Sequence, residues 1–157
     1  MSVQTFFLEP TGKGRIGKND VQIHYGTYDE WKALSDKREA DSWEPTYRRL
    51  DTGEEMSWQE APVGATTLLE KDYCHGPDGK SFIVKCPGGT TWQVDGQANN
   101  CDKKDDYVHS CWVRHGEPKE CKVHVDKIGN TCGAGGGSIQ THNWHGFLSH
   151  GVLQEER

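Results

Sequence analysis

The chain has 157 residues, enough for one domain with an attached N-terminal arm. Hydrophobic residues make up only 32% of it and glycine accounts for 19 positions, so its core must be thin and calls for a metal, disulfides or a partner surface. A net charge of −6 argues against a nucleic-acid binder, and no apolar run approaches the roughly 20 residues of a membrane span.

Six Trp, five Tyr and four Phe supply large side chains to bury, which argues against a disordered chain. The start, MSVQTFFLEP, lacks the basic-then-apolar pattern of a signal peptide. The expectation is a soluble, internally made protein.

In chain order, Val21-Gln-Ile23-His-Tyr25 alternates like a half-buried strand. Thr27 and Glu30 then have capping-box spacing, which predicts a helix over residues 28–40 with Trp31 and Leu34 packed in the core. The stretch YRRLDTGEEMSWQEAPVG carries breakers at Asp51-Thr-Gly53 and Pro62, so residues 41–70 read as irregular. Trp43 and Trp58 lie in this stretch, either as anchors on a free arm or folded back as a lid.

Composition changes near residue 73. All six cysteines and seven of the eight histidines follow it. The expected organisation is therefore an N-terminal segment, 1–72, with one helix and an irregular arm, and a Cys/His-rich domain, 73–157. The second part reads as β-hairpins. Ser81–Cys86 and Thr90–Val94 flank a Pro-Gly-Gly turn. Tyr107–Val113 and Cys121–Val125 flank His115-Gly-Glu-Pro118, and Trp144–Leu148 with Gly151–Leu153 closes the chain. The fold class expected is mostly β (α+β), with short hairpins around a zinc site and one short N-terminal helix.

Residues 131–147, TCGAGGGSIQTHNWHGF, join two metal-ligand types through a run of glycines. The run lacks the lysine of a P-loop and the helix-opening context of a dinucleotide loop. Tetrahedral zinc takes four Cys or His ligands, here arriving singly from successive turns because paired CxxC knuckles are absent. Cys101, Cys111, Cys132 and His145 are the expected ligands, with the bare loop letting the chain wrap from Cys132 to His145. Cys74 with His75 or Cys86, His109, Cys121 and His142 stand in reserve, and Cys111 and Cys121 are alternatively opposed across a hairpin. Thiol–base pairs such as Cys111 with His115 or Cys132 with His142 are also present, but no HExxH or HxE…PCxxC pattern selects a catalytic site.

Several pieces of the chain resemble a family of uncharacterised proteins from tailed-bacteriophage genomes. They are Trp92-x-x-Asp95-Gly96, Asn100-Cys101, His109-x-Cys-Trp-Val-Arg-His-Gly-Glu-Pro118, Thr131-Cys132 with the following glycines to Ile139, and His145-Gly-Phe-Leu148. With Tyr47-Arg48, Thr52-Gly53 and Ala61-Pro62 upstream, the resemblance spans about residues 47–153. It implies phage origin and supports the four-ligand set. Cys74, Cys86 and Cys121 look like additions of this chain, and a Cys74–Cys86 disulfide is one use for them.

The functional expectation is a Zn2+-stabilised accessory virion protein. It would be made in the host cytoplasm and docked on a phage capsid or tail protein through exposed aromatics, in several copies, without nucleic acid or membrane. The alternative is a zinc-dependent or thiol hydrolase acting in the infected host, and a third reading is an acidic inhibitor of a host nucleic-acid enzyme.

Overall fold

The structure, a computed structural model, describes residues 2–70, 76, 78–98, 100–106, 109–129, 132 and 138–156. Its elements run β1 (Ser2–Gln4), β2 (Phe6–Lys18), β3 (Val21–Thr27), α1 (Tyr28–Asp36), β4 (Ser42–Arg49), β5 (Glu55–Ser57), β6 (Ala65–Leu69), β7 (Ser81–Lys85), β8 (Thr91–Gln93), β9 (Val113–His115), β10 (His124–Asp126), β11 (Ile139–Thr141), β12 (Trp144–Ser149) and β13 (Val152–Glu155). A short 3-10 turn, Pro118–Glu120, lies between β9 and β10. The fold is mostly β with one short helix.

Two compact units form, one from residues 1–7 and 62–157, the other from residues 8–61. The division expected at 72/73 is thus replaced by one near 61/62, and the first strand joins the C-terminal unit. The reason is pairing: β1 lies antiparallel on β13, with Val3 opposite Leu153.

In unit 8–61, β2 from Leu8 onward is flanked by β3 on one side and β4 on the other, and β5 extends the sheet beyond β4. Leu8, Ile16 and Met56 form its small interior. The Thr27–Glu30 capping box starts α1 as expected, but the helix stops at Asp36, where Lys37 and left-handed Arg38 end it. It buries no residue, so Trp31 and Leu34 are half-covered surface contacts and not core. Residues 21–25 of β3 are exposed on both faces, against the half-buried expectation.

The irregular arm is also corrected, because residues 41–70 contain three strands. Pro45 lies within β4, beside the register shift between Pro10 and Gly14 of β2, where the ladder needs no donor. Trp43 is half-buried, edge-on to Tyr28 at 5.5 Å, and Trp58 packs against Tyr47. Neither is a free anchor.

In the other unit, Phe6 and Phe7 pair in parallel with β6, and β6, β7 and β8 continue antiparallel. A second sheet runs β1-β13-β12-β11, and β9 pairs with β10 as a separate hairpin. Phe82, Val84, Val94, Ile139, Leu148 and Leu153 fill the core between them. All three expected hairpins are present. The Pro87-Gly-Gly89 turn closes with Gly89 N–H on the Cys86 carbonyl at 2.9 Å, and both glycines have positive φ. In the middle hairpin the pairing begins at Val113, residues 109–112 being turned around side-chain contacts described below, and the expected strand residues Tyr107 and Val108 lie outside the described residues. No helix among the described residues is long and apolar enough to cross a membrane.

Candidate metal centre

The ligand-bearing chain leaves β8 after Gln93 and returns at β9, so residues 94–112 must shape themselves without a sheet ladder. Local hydrogen bonds do this. Cys101 N–H reaches the Ala98 carbonyl at 3.1 Å, His109 N–H the Asp106 carbonyl at 3.1 Å, and Cys111 N–H the Gly96 carbonyl at 3.1 Å. The Gln97 amide donates to the carbonyls of Asp106 and His109, pinning the turn before Cys111.

These turns bring Cys101, His109 and Cys111 together with Cys132, and one ligand atom from each lies within 4.8 Å of all the others. Cys111 Sγ is 3.6 Å from Cys132 Sγ and 3.7 Å from His109 Nε2. In a tetrahedral site with metal–sulfur bonds near 2.3 Å, ligand–ligand edges are about 3.8 Å. The observed spacing fits that geometry. Cys111 is fully buried, Cys101 and His109 nearly so, and Cys132 half-buried. Lys103 N–H approaches Cys101 Sγ at 3.3 Å, the kind of donor that stabilises a thiolate.

Electrostatics point the same way. Burial pushes the Cys111 thiol up to about 12, and the neighbouring Cys101 and Cys132 thiols add to the rise while a backbone bond from Ala98 opposes it. Three crowded thiols resist ionising together unless a cation joins them. The group could hold a metal ion.

Of the four expected ligands, Cys101, Cys111 and Cys132 are brought together and His145 is not. His145 lies on β12, where Nδ1 pairs with Glu156 Oε2 and Nε2 is 3.0 Å from Ser138 Oγ. His109 takes the fourth place. The sequence held the clue in the close spacing of His109-x-Cys111, which lets two ligands leave one turn in the same direction. Among the reserves, Cys86 is a thiol in the apolar core, pushed up to about 12 by burial, so the Cys74–Cys86 disulfide is not formed. Cys74 and His75 lie outside the described residues. Cys121 caps the 3-10 turn in a left-handed conformation and does not face Cys111, whose sulfur meets Cys132. His142 is exposed beside the β11–β12 turn.

Sequence reasoning missed the support beneath the centre. Arg114, just past Cys111, puts Nε 3.2 Å from Asp95 Oδ1 and Nη2 2.9 Å from Asp78 Oδ1. Asp95 is 1% exposed, and its other oxygen accepts the Phe82 N–H at 2.8 Å. Burial raises the Asp95 carboxyl and Arg114 opposes that rise, while Arg114 holds the half-exposed Asp78 below its usual range. Asp95 and Arg114 thus fasten the two ends of the segment that carries three of the four ligand-type residues. Comparison with protein-family models, curated proteins and solved structures gives no match.

Proposed function

We propose that Cys101, His109, Cys111 and Cys132 hold one Zn2+ in a closed structural site, and that the protein acts as a binding or assembly component and not through metal catalysis. The closeness of four protein ligand atoms carries this reading. Zinc is content with four such ligands, whereas a catalytic zinc keeps a position open for water or substrate. Three thiols and an imidazole suit zinc far better than magnesium or calcium. The group contains no carboxylate to serve as a general base. That weighs against the zinc-hydrolase alternative, and the burial of Cys111 weighs against a thiol nucleophile.

The finer role we propose is an accessory protein of a phage particle, bound to a capsid or tail surface. The resemblance over residues 47–153 supports the phage assignment. Exposed apolar side chains support the docking role: Val21, Ile23, Tyr25 and Tyr28 follow one another along β3 and the start of α1. Apolar groups left in water at this density favour a protein contact.

Two measurements test the two levels. Cys132→Ser should lose its metal, with far-UV and near-UV circular dichroism changing together; a variant that folds and keeps one zinc would overturn the ligand assignment. Replacing Val21 and Ile23 together by Lys should detach the protein from purified particles while zinc content stays at the wild-type level. Absence of the wild-type protein from purified particles would contradict the virion role.

A further inference from the structure

His145 lies on β12, and Ser138, just before β11, and Glu156, just after β13, are set beside it on one face of the C-terminal sheet. His145 on β12 lies opposite Gln140 of β11, and Ser138 is two residues before Gln140, so Ser138 and His145 share a face. On the other side, Gly146 pairs with Glu155 and the Glu156 N–H donates to the His145 carbonyl at 3.0 Å, which sets Glu156 beside His145. The opposite face of the same sheet buries Ile139, Leu148 and Leu153. Period-two alternation thus places the polar trio outward and the core inward.

The contacts have a defined order. Glu156 Oε2 pairs with His145 Nδ1, and His145 Nε2 is 3.0 Å from Ser138 Oγ. A proton on Nδ1, facing the carboxylate, leaves Nε2 to accept the hydroxyl proton of Ser138. This is the sequence of roles in a nucleophile–base–acid triad, which is recognised by geometry and not by chain order. The Trp112 indole N–H donates to the Ser138 carbonyl at 3.0 Å and fixes the serine backbone.

We propose that Ser138, His145 and Glu156 form a second site, separate from the metal centre, that hydrolyses neutral carboxylic esters. An open groove of about 490 Å³ is lined by His145 and Glu156 together with Gln140, Thr141, Asn143 and Trp144, with Glu155 beside them, and Ser138 meets it through its contact with His145 Nε2. Its hydrogen-bonding groups suit a polar, uncharged substrate, and its carboxylates repel anions. Phe147, 38% exposed and two residues beyond His145 on the same face, offers an apolar contact for the acyl chain.

The step balances without a cofactor. Ser138 Oγ attacks the ester carbonyl as His145 Nε2 takes its proton, and the carbon–oxygen bond to the alcohol breaks as His145 returns that proton to the leaving oxygen. Water, deprotonated by His145, then attacks the acyl-serine, releases the acid and restores the hydroxyl. Glu156 is a positioning residue that holds the ring and its tautomer. Side-chain exposures of 42% for His145 and 39% for Glu156 leave water free to enter for the second step.

The full-length protein should be assayed with p-nitrophenyl acetate and separately treated with a fluorophosphonate, the labelled peptide being located by mass spectrometry. The expected result is one adduct, on Ser138, and turnover that falls to the buffer rate in Ser138→Ala and His145→Gln. Glu156→Gln should lower kcat at least about tenfold with KM unchanged, because the ring loses the carboxylate that fixes its tautomer. Turnover that survives Ser138→Ala, a wild-type rate no faster than buffer, or an adduct elsewhere would overturn the proposal. The label on the wild-type protein decides the matter even if a variant fails to fold.

Discussion

Arg114 keeps a guanidinium 6% exposed, and only because two carboxylates and the Lys80 carbonyl take up its donors. Removing one partner from such a pair leaves a charge out of water without compensation, which costs about 3–5 kcal/mol. Since Asp78 would remain, Asp95→Ala should sit at the lower end, about 3 kcal/mol less stable in urea unfolding. A loss below about 0.5 kcal/mol would mean the pair carries no weight. Residue types alone could not reveal this support, because nothing in an isolated Asp95 or Arg114 tells that strands β7 and β9 will bury both. The same limit applies to His109 and His145. Both were visible as ligand types, but the choice between them depends on the turn that Gln97 pins and on Glu156 reaching β12 from the next strand.

The hairpins were legible because local chemistry decides them. His150 and Gly151 both have positive φ, as a tight turn between β12 and β13 requires. A Cβ on Gly151 would collide with the Cys121 carbonyl, and its N–H already donates to the Val123 carbonyl at 2.9 Å. Gly151→Ala should therefore destabilise unit 1–7 and 62–157 by several kcal/mol, adding backbone strain to a clash that chain movement must relieve. Thermal unfolding would check it, and an unchanged midpoint would contradict the packing described for that turn. Less legible were β4 and the end of α1. The breakers at Asp51-Thr-Gly53 and Pro62 made residues 41–70 read as irregular, whereas β4 forms with Pro45 inside it because of a register shift in a neighbouring strand, a non-local fact. The helix was expected to run on to residue 40 because its capping box is strong, but with no buried face it has little to extend against.

Composition foretold a molecule short of apolar material, and the structure distributes that shortage between two units. Unit 8–61 closes a small interior around Leu8, Ile16 and Met56. In the other unit the sheets supply a core, whereas among the described residues after Val94 the ligand-bearing segment groups only Ala98 and Trp112 with its cysteines. A metal centre here would do the work that apolar burial does elsewhere, and removing it should unfold this segment together with the sheets it joins. Three of its four ligand-type residues were legible from residue type and turn placement, and the fourth needed the folded chain. The most direct test is native mass spectrometry of protein purified without added metal. The mass predicted is that of one chain plus a single zinc, less the protons displaced from its thiols. A metal-free mass, with Cys101, Cys111 or Cys132 joined in disulfides, would contradict it.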